Sequence, residues 1–403
     1  MPHSCRHCGT PLHHEVIDLG HQPPSNAYLT AEQLLGPEIT YPLKVYVCSS
    51  CWLVQLPAHA AAEELFTADY AYFSSTSTSW CAHAERFVQA AVQRLGLGPE
   101  SQVVELASND GYLLQYVQQR SIPCLGIEPT HATAEVARAK GINTIERFFG
   151  VALAAELEPA DLIVANNVLA HVPDINDFVA GIARLLKPQG RASIEFPHLL
   201  RLLEGNQFDT IYHEHYSYLS LKVVQRIVEA FGLSVVDVEE LHTHGGSLRV
   251  WLAPEGVTQP TKAVVAVLDG EDQAGLETLA AYAGFQQRAE ASKYGLLEFL
   301  LQARREDTRV LGYGAAAKGN TLLNYAGVHA DLLAAVADRA TSKQGRFLPG
   351  SHIPVITPEQ LSQLEPNKIL VLPWNLIGEL QLQLPSISLV TAVPTLHLWP
   401  LCS

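Results

Sequence analysis

The chain is short of positive charge. Its 403 residues carry 26 Lys and Arg against 41 Asp and Glu, a formal net charge of -15. A surface of that sign repels phosphate backbones, so nucleic acid is not an expected partner, and neither is an anionic membrane surface. No uninterrupted apolar run approaches the ~18 residues that would suggest a membrane span. The opening residues Met1 to Cys5 lack a basic stretch followed by an apolar one, so no secretory signal is expected there. Cysteine is also scarce. Of seven in all, Cys81, Cys124 and Cys402 follow no disulfide plan, which fits a reducing, cytoplasmic setting.

The other four cysteines are patterned. Cys5 and Cys8 form one C-x2-C pair, Cys48 and Cys51 another, with 39 residues between the pairs. A two-residue spacer lets both thiolates of a turn reach one metal, and two such turns make a closed tetrahedral set that suits zinc. No ligand position is left for water, so the metal should be structural. The long gap implies a hairpin or small subdomain between the knuckles. Residues 6–54 are too poor in apolar side chains for a core of their own, so metal should hold them together. Two pairs within the first 51 residues argue against four unrelated thiols.

Beyond Trp80 the pattern alternates. Short apolar strands are expected at 103–106, 124–128, 161–166 and 192–196, separated by helical stretches at 113–120, 132–139 and 175–186. Such alternation indicates a parallel sheet covered on both faces. Runs at 233–241 and 247–253 flank a short connection containing Gly245 and Gly246 and read as an antiparallel hairpin. A parallel sheet closed by such a hairpin is the pattern of class I methyltransferases. One or two helices over 263–305 lead to a second alternating region, with strands expected at 309–313, 332–337, 368–372 and 387–393. Two α/β units in series suggest a duplication, although no clear sequence repeat accompanies it.

The first strand runs into Glu105-Leu106-Ala107-Ser108-Asn109-Asp110-Gly111, and ligands of a doubly wound sheet sit at such strand ends. A pyrophosphate wants three glycines; this loop has one glycine and two acids, Glu105 and Asp110. It suits the sulfonium and ammonium of S-adenosylmethionine (SAM) better than a dinucleotide. Gly111 allows close backbone approach, and Glu128, followed by Pro129, is placed to accept both ribose hydroxyls. Asn166 and Asn167 end the third expected strand and can hold the methionine part. His171 either faces the same crevice or is a helix-start histidine satisfied by backbone.

The polar run Asp209-Thr210-Ile211-Tyr212-His213-Glu214-His215-Tyr216-Ser217-Tyr218 is costly to bury unless paired and brings general bases and donors together. A solvated loop is the plainer alternative. A second metal is disfavoured, because Glu214 lies between the two histidines, unlike an H-E-x-x-H helix. Further on, Gly312-Tyr313-Gly314-Ala315-Ala316-Ala317-Lys318-Gly319-Asn320 resembles a dinucleotide loop without its usual ending. Lys318 at a helix start favours a phosphate, and Asp338 keeps a nicotinamide reading open.

Together these segments resemble the sugar C-methyltransferase family, which acts on nucleotide-linked deoxysugars in natural-product and surface-glycan pathways. The resemblance runs through Cys5-Arg6-His7-Cys8-Gly9, Tyr72-Phe73-Ser74-Ser75, the Glu105 to Gly111 loop and Phe208 to His215. It continues through Thr243-His244-Gly245-Gly246-Ser247-Leu248-Arg249, the Lys318 loop and Lys343 to Gly350. It implies a zinc-binding domain (1–70), a SAM-binding domain with a Rossmann-like class I fold (71–262) and a C-terminal α/β sandwich that helps bind the nucleotide sugar (263–403). Tyr212, Glu214 and His215 map onto the family's catalytic motif, with Tyr72 and His171 beside the chemistry. Phe73 and Ser75 join the implied SAM site, and His244, Lys318 and Asn320 the implied substrate site. Ala316 and the Pro373-Trp374 pair depart from the family's pattern.

The implied reaction is methylation of a dTDP-linked 4-keto-6-deoxy sugar at C-3, with His215 removing a proton beside the ketone and Tyr212 donating to the enolate oxygen. Methylation at C-5 of the same substrate class, and an O- or N-methyltransferase on a nucleotide sugar, are the alternatives. A cytoplasmic monomer is expected.

Overall fold

The computed structural model describes residues 3–65 and 73–401 and contains three sheets. The first is built around the knuckles. Cys5 and Cys51 Sγ lie 3.5 Å apart, as do Cys8 and Cys48 Sγ, and all four sulfurs fall within 4.8 Å of one another. That is too far for disulfides (about 2.05 Å) and close to the ~3.8 Å edge of a tetrahedron with Zn–S near 2.3 Å. The two turns match: Gly9 and Trp52 both have positive φ (75° and 65°), and both donate N–H to the carbonyl of their pair's first cysteine, at 2.9 and 3.0 Å. Between them lies the expected hairpin, strands His14–Gln22 and Tyr41–Val47, paired antiparallel.

This sheet continues with Val54–Gln55 and ends with Ser217–Tyr218, a strand contributed from the centre of the chain. The knuckle also packs on the central unit. Arg226 donates to Cys51 O at 2.6 Å and Arg6 to Pro173 O at 2.8 Å. On its other side the hairpin shares one apolar core with the C-terminal unit, where Ile17, Leu43 and Val45 meet Phe285, Leu296 and Leu300. The segment thus borrows its core from both neighbours.

The central sheet has seven strands. Counting Val103–Leu106 as its first, the order is 6-7-5-4-1-2-3, and only the seventh, Ser247–Pro254, runs antiparallel to its neighbours. Val103–Leu106 is buried throughout, as a strand covered on both faces must be. Covering helices carry the expected caps: Asp174 accepts from Asp177 N, and Ser220 from Val223 N. The C-terminal sheet has six strands ordered 3-2-1-4-5-6 from Val310–Tyr313, with only His397–Trp399 antiparallel. The two sheets share the order 3-2-1-4-5. Of the strand expected over 332–337, only Val336–Ala337 pairs, because Leu332 and Leu333 close a turn from His329.

One metal ion per chain should be found by elemental analysis. Stripping it with a strong chelator should lower Tm and abolish activity together, since the metal would anchor a sheet that reaches residues 217–218. Stripped protein with unchanged Tm and activity would contradict this.

Candidate active site

Val103–Leu106 pairs with Cys124–Ile127 on one side and Ala160–Asn166 on the other, so the crevice at their carboxyl ends is the topological switch point. The acidic loop sits there, with Ala107, Asn109 and Gly111 at φ of 54°, 50° and 76°. Glu105 is 1% exposed, and its Oε2 has no hydrogen-bond partner. Burial, then Asp110 and Glu128, push its carboxyl well above the usual range. Glu128 Oε2 accepts from Asn109 N at 2.9 Å, and its Oε1 from Thr130 N at 2.9 Å and Thr130 Oγ1 at 2.5 Å. Pro129 lies partly buried between them. Glu128 therefore ties this loop to the next strand as well as facing the crevice.

Half-buried Phe73 leads into a turn that covers the loop. Ser74 N donates to Asn109 Oδ1 at 2.8 Å, Ser75 N lies 3.3 Å from both Asp110 carboxylate oxygens, and the Ser75 hydroxyl donates to Asp110. Tyr72 lies outside the described residues. A Cβ at Gly111 would stand 2.3 Å from Ile142 Cδ1, so this position of the loop takes only glycine. Both amide atoms of Asn166 are buried without partners. Asn167 Nδ2 lies 3.5 Å from His244 Nε2.

The polar run folds over this crevice as a 3-10 turn, Phe208–Thr210, followed by a second turn in which His215 N donates to Tyr212 O at 2.9 Å. His215 is 8% exposed. Its ring packs 3.9 Å from the Tyr212 ring and 4.6 Å, edge-on, from that of His171. His215 Nδ1 lies 2.8 Å from Thr210 O; a carbonyl only accepts, so Nδ1 carries the proton and Nε2 the lone pair. Burial and the neighbouring His171 hold His215 well below the usual imidazole range. Burial likewise lowers His171 and His244 to about 4, so all three rings are neutral at pH 7. His171 bonds the backbone of Glu214, so its ring meets both the crevice and a backbone partner. His213 turns away, toward Tyr41. The four cysteines are the only cluster of metal-ligating side chains among the described residues.

The C-terminal unit enters the same cluster. Lys318 Nζ donates to Asn375 Oδ1 at 2.7 Å and lies 4.7 Å from the Trp374 ring centroid. Burial pushes its ammonium down, and Asp209 pulls it back up. Trp374 Nε1 donates to Asp209 Oδ2 at 2.7 Å. Gly245 permits this approach, since a Cβ there would lie 2.4 Å from the Trp374 ring. Asn320 is buried and donates to Ser25 O at 2.7 Å, which places it against the N-terminal segment. Asp209 opens the polar run and Trp374 belongs to the pair that departs from the family's pattern; no sequence signal joins the two across 165 positions.

Three family models match in series: "Putative zinc binding domain" over residues 5–66, "Methyltransferase domain" over 80–238 and "C-methyltransferase C-terminal domain" over 242–392. The chain is 34% identical over 381 residues to C-methyltransferase NovU of Streptomyces niveus, covering 93% of this chain and 90% of NovU. The chain belongs to the C-methyltransferase family. Solved structures with partial similarity include magnesium protoporphyrin IX methyltransferase (ChlM) from Synechocystis PCC 6803 with bound SAM. That match has a TM-score of 0.34 and 16% identity, covering 42% of this chain and 79% of that one. The PH0226 protein from Pyrococcus horikoshii OT3 gives 0.38 and 14%, covering 46% and 95%. Similarity at this level carries no functional information.

This C-methyltransferase is SAM-dependent and zinc-organised, and its residues fit both groups. The unpaired Glu105 oxygen, beside two further carboxylates, suits a cationic ligand. The four sulfurs, with Gln55 Nε2 donating to Cys5 Sγ at 3.1 Å, suit zinc with a fixed outer shell. Glu128→Ala should raise the SAM Kd about tenfold or more, the scale of losing charge-assisted hydrogen bonds. Calorimetry showing an unchanged Kd would contradict that.

Asp209 gives a stability prediction. Burial pushes its carboxyl up to about 6 from 3.8, so the folded form holds this proton more tightly than the unfolded chain. Stability from this group therefore falls as pH rises between about 4 and about 6. Asp209→Asn should stabilise the fold near neutral pH by at most about 3 kcal/mol, seen as a raised Tm, with the gain shrinking toward about pH 4. A variant less stable than wild type at neutral pH would overturn the assignment.

Proposed function

We propose that this enzyme methylates a ring carbon of a dTDP-linked 4-keto-6-deoxy sugar, at C-3 beside the ketone, with His215 as the enolising base. A single observation carries the reading. His215 is buried and neutral, and Thr210 O holds its Nδ1 proton at 2.8 Å, which leaves Nε2 as the basic nitrogen. An O- or N-methyl acceptor carries its own lone pair, whereas carbon must first lose a proton to a base of this kind.

His215 Nε2 takes the proton from the carbon beside the ketone. The Tyr212 hydroxyl, on the ring packed 3.9 Å from His215, donates to the oxygen that becomes the enolate. Bound SAM supplies the electrophilic methyl group. Glu105, Asn109, Glu128, Asn166 and Asn167 hold it, with Phe73 and Ser75 covering the loop. Lys318 and His244 face the sugar nucleotide, Lys318 toward its phosphates, with Asn320 supporting the helix that carries Lys318. Low local polarity around His215 disfavours the imidazolium. A dianionic diphosphate nearby would raise its basicity when the substrate is in place. On this reading the chain divides near 70 and 262 into metal-binding, SAM-binding and sugar-nucleotide parts.

His215→Asn should still bind SAM and the sugar nucleotide, while methyl transfer falls by a factor of about 10^2–10^4, the usual contribution of a placed general base. In D2O without SAM, wild-type protein should exchange the proton beside the ketone, and the variant should lose that exchange in parallel. Near-normal turnover by the variant would remove His215 from the role.

A further inference from the structure

The loop between the two hairpin strands reaches the reaction centre. Within four residues, 25–28, it contacts three elements of the site. Ser25 O accepts from Asn320 Nδ2 at 2.7 Å, on the helix that carries Lys318. Asn26 Nδ2 donates to Glu214 Oε1 at 3.0 Å. The Tyr28 hydroxyl donates to Ala315 O, in the loop ahead of Lys318. Lys343 Nζ donates to the same carbonyl at 2.8 Å and lies 5.4 Å from the Tyr28 ring centroid. Leu29 and Phe347 then exchange both backbone hydrogen bonds, at 3.0 and 2.9 Å.

We infer that Asn26 is a positioning residue for the catalytic turn: its amide pins the Glu214 carboxylate and thereby fixes where the neighbouring His215 stands relative to Lys318. This rests on the reading of Glu214 as part of the reaction centre. Glu214 is 1% exposed and held at two points, its carboxylate by Asn26 and its backbone by His171. Its Oε2 has no hydrogen-bond partner. Without Asn26, neither carboxylate oxygen would keep a side-chain donor, and the turn carrying His215 would lose its tie to the hairpin loop.

The same amide favours the ionised carboxylate. Burial pushes Glu214 up, and Asn26 pulls against it. The other titratable groups facing it stay in one state near neutrality. Tyr28, Tyr216 and Tyr218 are all pushed up by burial, Tyr216 to about 12. His171 and His213 are held at about 4, and Arg6, lowered by burial only to about 10, stays charged. Asp209, pushed up to about 6, and His215 itself also titrate on the acid side, so Glu214 is read from the difference between wild type and the Asn26 variants.

Asn26→Asp and Asn26→Ala decide the matter, with Glu214→Gln as reference. Asn26→Asp keeps the shape and replaces the donor with an acceptor. Both Asn26 variants should retain zinc and wild-type SAM affinity. kcat should fall about tenfold or more, the scale of one charge-assisted hydrogen bond, with Asn26→Asp the worse of the two. The acid limb of kcat/KM should move to higher pH in both, and Asn26→Ala should no longer move it in a Glu214→Gln background. If Asn26→Ala fails to fold, Asn26→Asp alone decides. Wild-type kcat and an unmoved acid limb in Asn26→Asp, with Glu214→Gln impaired, would overturn the inference and leave the proposed function standing. A fully active Glu214→Gln would instead overturn the role given to Glu214.

Discussion

Where Val54–Gln55 pairs with Ser217–Tyr218, the metal knuckle and the catalytic turn become one sheet. Gln55 lies at the junction. Its side chain donates to Cys5 Sγ at 3.1 Å and accepts from Arg6 N at 2.9 Å, while its backbone pairs opposite Ser217. Two residues before Ser217 stands His215. The four-cysteine cluster is thus linked to the turn carrying His215 through backbone hydrogen bonds, which are stiff and short in reach. Four cysteines would fill the tetrahedral positions of a zinc ion, and the sheet they anchor carries the turn.

The other walls of the site are set by similar ties. Gln207 Nε2 donates to Gly245 O at 2.8 Å, and Thr321 Oγ1 to Ile211 O at 2.8 Å, so the turn is fastened to the hairpin carrying His244 and to the helix carrying Lys318. Glu195 accepts from Thr243 at 3.2 Å and from Arg249 at 2.9 Å, which steadies the residue before His244. Three units of one chain converge on one ring. That arrangement suits a reaction whose two reactants must be held in line, because positioning supplies much of the rate.

Much of this was legible in the sequence because it rests on local chemistry. The two C-x2-C pairs predict their sulfur cluster, and the buried strand 103–106 with its acidic loop predicts the crevice. Tyr212, His215 and His171 are brought together as their residue types suggest. The long-range ties were not legible. Asn26 follows two prolines in a loop without periodicity, and nothing in its surroundings signals a carboxylate 188 positions away. Asn320 reads as a substrate contact from its place after Lys318; its Nδ2 donates to Ser25 O, a tie that residue type does not announce, while its Oδ1 is buried without a partner. Gly111 reads as room for close backbone approach, and its need to be glycine also comes from Ile142, which fills the place of a Cβ. Each difference is a contact between distant segments, which residue type and spacing do not encode.

Transfer to carbon rather than to oxygen or nitrogen, on a sugar nucleotide, is the central claim. It is tested most directly by incubating the enzyme with 13C-methyl SAM and dTDP-4-keto-6-deoxy sugars uniformly labelled with 13C in the sugar ring and recording the NMR spectrum of the product. The account predicts a labelled methyl with one-bond carbon coupling to a ring carbon next to the ketone. A labelled methyl in the methoxy or N-methyl region, without carbon–carbon coupling, would contradict it.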